Sequence, residues 1–132
     1  MANSTSIQIL EDGPRNVIVK FEGVLDTSDL GSTVVVDPAT LSVIDEARGV
    51  ATKLAIKKIT YNVEDLLSVN LFWDATTPVR IEEITGRGKM DFWKGQALQN
   101  NAGSGITGKI TATTQGWVGI LSFSLILELV KQ

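Results

Sequence analysis

Carboxylates are the main stock of reactive groups in this sequence, because the 132 residues include fifteen Asp and Glu but no His and no Cys. That absence removes the commonest general base, the most nucleophilic side chain and the usual transition-metal ligands. A Ser-His-Asp or Cys-His relay cannot form. Glu82 with Glu83, Glu64 with Asp65, and Asp91 remain as material for glycoside chemistry, which needs two carboxyl groups flanking one bond. Adjacent residues of a strand point to opposite faces, so Glu82 and Glu83 are poorly placed for that, and a solvated surface is the ordinary setting of such groups. Asp26, Asp29 and Asp37 would need their loops to converge before they could hold Ca²⁺, and their spacing matches no EF-hand. Gly86-Arg-Gly-Lys89 lacks the GxxxxGK[ST] frame of a phosphate cradle and reads as a turn or bulge. Trp73, Phe92, Trp93 and Trp117 could form a stacking platform for sugars or bases. Trp73 falls on the apolar parity of a strand and reads as core, whereas Trp93 and Trp117 border loops, where either core packing or a protein interface suits them. No catalytic residue, metal site or cofactor is expected, and the chain reads as a non-enzyme.

The elements that must position these residues are strands. Leu121, Phe123, Leu125, Leu127 and Leu129 share one parity against Ser122, Ser124 and Glu128, the period of a half-buried strand. Ile120, Ile126 and Val130 interrupt the polar parity, so that face is either partly covered or carries scattered surface aliphatics. Leu67, Val69, Leu71 and Trp73 repeat the pattern, as do Ile59, Tyr61 and Val63 within 53–63, with Glu64-Asp65 read as a tight hairpin turn between them. Asp74 to Pro78 supplies a turn. Strands follow over Val79 to Ile84 and Lys89 to Trp93, and the turn-rich stretch 94–105 forms the longest loop. Ile106, Ile110 and the run Thr111 to Thr114 propose one more strand before the last.

In the first half, Ile7, Ile9, Val17, Val19 and Phe21 suggest two strands around Glu11 to Pro14, and Thr33 to Val36 suggests a third. The stretch 25–31 reads as a loop, and 38–49 could hold a short helix or a strand, with strand or irregular structure favoured. Eight or more short strands with hardly any helical periodicity predict an all-β, antiparallel sandwich or jelly-roll-like fold with short hairpin connections, a meander being the economical topology. Lys57-Lys58 reads either as gatekeeping charge on an exposed edge or as ordinary surface. A single domain over 7–132 is expected, preceded by a mobile arm, residues 1–6, that orders against a neighbour.

Twelve Lys and Arg against fifteen acidic residues give a formal charge of −3. That balance does not suit a protein that grips nucleic acid through its phosphates. No secretory signal is read, because Met1-Ala-Asn-Ser-Thr-Ser6 lacks a basic start and an apolar h-region, and no membrane-spanning run, because Ser122, Ser124 and Glu128 break the longest apolar stretch. Without cysteine a disulfide framework is excluded.

At several of these segments the chain resembles small virion proteins of tailed bacteriophages. The matching stretches are Ile7-Gln-Ile-Leu-Glu-Asp-Gly-Pro-Arg-Asn16, Phe21-Glu-Gly-Val-Leu-Asp26, Leu71-Phe-Trp-Asp-Ala-Thr-Thr-Pro78, Gly86-Arg-Gly-Lys-Met-Asp-Phe92, Gln99-Asn-Asn-Ala-Gly103 and Leu127-Glu-Leu-Val-Lys131. The resemblance implies a capsid decoration (cement) protein, made in the cytoplasm of a bacterial host. It would sit on the capsid exterior, bridging major capsid subunits, and would associate with itself as a homotrimer. Nucleic acid, membrane and small-molecule substrates are not expected partners. Protein contact is expected from Arg15, Arg87, Lys89, Trp93, Asn100, Asn101 and Trp117. The alternatives are a tail, adaptor or fibre-associated component, and a glycan- or host-surface-binding module built on Trp93, Trp117 and the Asn100-Asn101 loop.

Overall fold

The alternating runs form strands throughout a computed structural model that describes residues 3–47, 49–92 and 98–131. In chain order the strands are β1 (Ser4–Asp12), β2 (Asn16–Leu25), β3 (Thr33–Val36), β4 (Leu54–Val63), β5 (Ser68–Trp73), β6 (Val79–Ile84), β7 (Arg87–Asp91), β8 (Ile110–Gln115) and β9 (Leu121–Lys131). A single 3-10 turn, Pro38–Thr40, is capped by Asp37, whose carboxylate accepts from the Ala39 amide at 3.0 Å. All strand pairings are antiparallel, and they build a five-stranded sheet, β1-β2-β9-β4-β7, against a four-stranded sheet, β3-β8-β5-β6.

The two inner faces enclose one core. Val17, Val19, Phe21 and Leu25 of β2 meet Leu125, Leu127 and Leu129 of β9 and Ile56 and Ile59 of β4, and the opposite sheet contributes Val69, Leu71, Trp73, Ile110 and Ala112. The strict period of two in β9 places Leu121, Phe123, Leu125, Leu127 and Leu129 inside, as the sequence pattern predicts. Each fully buried side chain of this size contributes about 1.5–3 kcal/mol by leaving water. The phenyl rings of Phe21 and Phe123 lie 5.2 Å apart at 55°. Gly23, between Phe21 and Leu25 on the inner parity, makes room for the Phe123 ring, since a Cβ there would stand 2.9 Å from that ring and 3.1 Å from the Ser4 carbonyl oxygen.

Four expectations need correction. The connections do not form a meander: from β2 onward successive strands alternate between sheets except at the β5–β6 hairpin, which gives the jelly-roll-like order β2-β9-β4-β7 over β3-β8-β5-β6. Glu64-Asp65 is therefore not a hairpin turn but a corner that carries the chain from one sheet to the other. Lys57 and Lys58 lie on β4, which is paired on both sides, so they guard no edge; Lys57 bonds Asn16 and Lys58 approaches Glu128 at 4.0 Å. Of the expected mobile arm, Ser4, Thr5 and Ser6 belong to β1, in register with Val24, Gly23 and Glu22. Asn3 fastens the start of that strand by accepting from the amides of Asp26 and Thr27 and donating to the Ser28 carbonyl. Residues 1–2 lie outside the described residues, as does the end of the strand expected over Lys89 to Trp93.

Candidate functional site

One end of the sandwich is built from the connections β2–β3, β4–β5 and β8–β9, and its construction explains an exposed apolar tip. Glu64 accepts from the hydroxyl and amide of Ser122, at 2.9 and 3.3 Å, which ties the corner after β4 to the start of β9. Gly116, at φ +87°, packs directly under the Leu66 carbonyl, where a Cβ would collide with that oxygen. Leu66 itself sits at φ 74°, the only non-glycine residue in the left-handed region among the described residues. A branched, apolar side chain gains nothing locally from that conformation, and such outliers concentrate where function holds them. Leu66 is 76% exposed, Val118 67% and Ile120 69%, so two adjoining loops project three large aliphatic side chains into solvent. Asp29 secures the same end, its carboxylate accepting from the Trp117 amide and the Thr114 hydroxyl, while the Trp117 indole donates to the Leu25 carbonyl at 3.2 Å.

The outer face of the five-stranded sheet is polar in register. One cross-strand row reads Ser6, Glu22, Ser124, Asn62, Arg87, and the next reads Gln8, Lys20, Ile126, Thr60, Lys89. Small side chains at Ser4, Ser6, Ser122 and Ser124 leave a shallow cleft of about 340 Å³ beside Glu22, Asn62 and Glu64. Hydroxyls, an amide and carboxylates can hold a polar group there by hydrogen bonds.

The third feature is β1 itself. Five strands face four, and β1 is left without cover: all its residues but Asp12 are exposed, including Ile7 (45%) and Ile9 (46%). These two lie on the inner parity, paired with the fully buried Phe21 and Val19, yet the opposite sheet does not reach over them.

The residues expected to make protein contact do not converge. Arg87 and Lys89 share the outer face of β7. Trp117 is half-buried at the tip with its indole committed to the backbone, and Arg15 lies before β2, with its carbonyl accepting from the Lys131 amide. Asn100 is buried and works within the chain, accepting from the Ala102 amide at 3.0 Å, whereas Asn101 is exposed. Trp93 lies outside the described residues. Leu66 and Val118 were missed by sequence reasoning, although an aliphatic residue inside a Glu-Asp turn and another beside Gly119 were the available signals. Trp73 is core, as its parity predicts. Asp26, Asp29 and Asp37 do not gather: Asp29 and Asp37 cap separate turns, and no group of three or more potential ligands is placed to hold a metal among the described residues. Glu83 is paired with Arg80 at 2.9 Å, and Glu82 and Glu83 face Leu71 and Asn70 across the ladder, on opposite sides of the sheet.

No helix among the described residues is long and apolar enough to cross a membrane. Comparison with family models, with curated proteins and with solved structures finds no match for this chain.

Proposed function

We propose that this chain is a non-enzymatic structural protein of a phage virion, a decoration protein that binds the outer surface of the assembled head and stabilises contacts between major capsid subunits. The observation that carries this reading is the tip formed by Leu66, Val118 and Ile120, three aliphatic side chains at least two-thirds exposed on loops held by Glu64, Ser122 and Gly116. Apolar anchors on a rigid frame suit docking onto a preformed surface, since little ordering is needed on binding. A jelly-roll-like sandwich supplies that frame, and the scarcity of proton-transfer groups costs such a role nothing. The action is mass action: a ligand of the assembled state alone stabilises it, by about 2.7 kcal/mol per site when its free concentration is a hundred times Kd.

The test is the copy number of this chain in purified particles, by quantitative mass spectrometry against the major capsid protein. Hundreds of copies support lattice decoration. A dozen or fewer moves the chain to a tail or connector ring, and absence from the particle overturns the virion reading.

A further inference from the structure

We infer that β1 is a self-association edge, where two copies of the chain pair antiparallel across a two-fold axis at Ile7. The edge lacks the protection that long edge strands ordinarily carry. From Ser4 to Leu10 it contains no charge and no proline, and its bulge comes only after Ile9, leaving the six residues before it in regular register with β2. A row of backbone N–H and C=O groups therefore faces outward beside isoleucines that the sandwich leaves uncovered.

The occupant is a second copy because the strand complements itself. Antiparallel pairing about Ile7 sets Ile7 against Ile7 and Thr5 against Ile9 on the inner face, all β-branched pairs, and Ser6 against Gln8 on the outer face, all uncharged. The acidic residues Glu11 and Asp12 then lie at opposite ends of the paired segment. Parallel pairing would stack them against their own copies, like charge on like. Only a two-fold axis lets one strand edge meet itself, so this contact gives an isologous pair and not the three-fold ring that the resemblance implies. A strand edge of this length buries less than the roughly 800 Å² per partner of a standard interface, so the pair forms at high local concentration, as on a crowded surface, and dissociates on dilution.

The absence of native cysteine makes the register directly readable. Single cysteines are introduced at Thr5, Ile7 and Ile9 in turn, and the isolated chain is oxidised mildly. Ile7→Cys is expected to convert to a disulfide-linked dimer, because directly opposed residues stand about 4.5–5.5 Å apart, within disulfide range. Thr5→Cys and Ile9→Cys are expected to stay monomeric, since each lies about 13 Å from its own copy in this register. In sedimentation at concentrations where the unmodified chain shifts to dimer mass, Ile7→Lys is expected to remain monomeric, its fold checked by circular dichroism. Equal cross-linking at all three positions, no cross-linking of Ile7→Cys at the highest soluble concentration, a trimer mass, or self-association unchanged in Ile7→Lys would each overturn the inference. These measurements use the isolated chain, so they stand or fall separately from the virion reading.

Discussion

The ammonium of Lys131 donates to the carboxylate of Asp12 at 2.8 Å, joining the end of β9 to the end of β1, with the lysine side chain fully buried and the aspartate a quarter exposed. Two further bonds, to the Ser42 carbonyl and hydroxyl at 2.7 and 3.0 Å, use the remaining donors of the ammonium. Ser42 in turn donates its amide and hydroxyl to Asp12. The β3–β4 connection is thereby fixed to the sheet. The two charges are not equivalent, and removing them should not cost the same. Asp12→Asn strands a buried ammonium and is expected to destabilise the chain by about 3 kcal/mol. Lys131→Met leaves a carboxylate that can reach water and forfeits mainly hydrogen bonds, about 1 kcal/mol. Urea midpoints at constant slope measure the difference.

The same contact carries an acid dependence. Partial burial alone would raise the Asp12 carboxyl, but hydrogen bonds from Lys131 and Ser42 outweigh it and hold the group below the ordinary carboxylate value. A carboxyl lowered by folding contributes stability that is present above its unfolded value and is lost as pH falls through its folded one. Urea midpoints taken from neutral to strongly acid pH should therefore fall less steeply in Lys131→Met, which lacks the principal lowering partner, than in the unmodified chain.

Leu66→Gly separates fold from function. Glycine adopts φ 74° without strain, so the substitution is expected to leave thermal stability unchanged or raise it by up to about 1 kcal/mol. If the tip is the docking surface, the same variant binds assembled shells several-fold more weakly in co-sedimentation. Undiminished binding by Leu66→Gly and by Val118→Ser would remove the tip from the proposed interface.

Gly23→Ala tests the packing around the phenyl pair. Its Cβ would press on the Phe123 ring and the Ser4 carbonyl, and relief requires moving a buried ring or the backbone of β1, at about 1–3 kcal/mol. Gly31→Ala, where a Cβ meets open space, serves as the control and is expected to shift the unfolding midpoint negligibly.

The strands were legible because side-chain alternation is local: the parity of Leu121 to Leu129 and of Val69 to Trp73 places those residues without knowledge of any partner strand. Connectivity was not legible, since Glu64-Asp65 looks the same whether the chain turns back in its own sheet or crosses to the other. The exposure of Ile7 and Ile9 was hidden for a related reason. Their alternation is that of a covered strand, and the missing cover depends on the opposite sheet having one strand fewer. Arg87 and Lys89 were reachable as surface residues, but their cross-strand companions Asn62 and Thr60 depend on register. Asn100 misled because a polar loop residue reads as exposed, whereas this one turns inward to cap its own backbone.

Strand β9 sits between β2 and β4, yet it is the last of the three to leave the ribosome. Until 121–131 emerges, β2 and β4 have no common neighbour, and the larger sheet exists only as two unjoined pairs, each with a bare apolar flank. Nascent chains therefore pass through a stage vulnerable to capture by other chains or chaperones, and closure requires ordering a loop that spans most of the molecule. Folding is accordingly expected to be slow, in the range of milliseconds to seconds typical of sheets dominated by distant pairings, with its decisive step the insertion of one strand into a waiting gap.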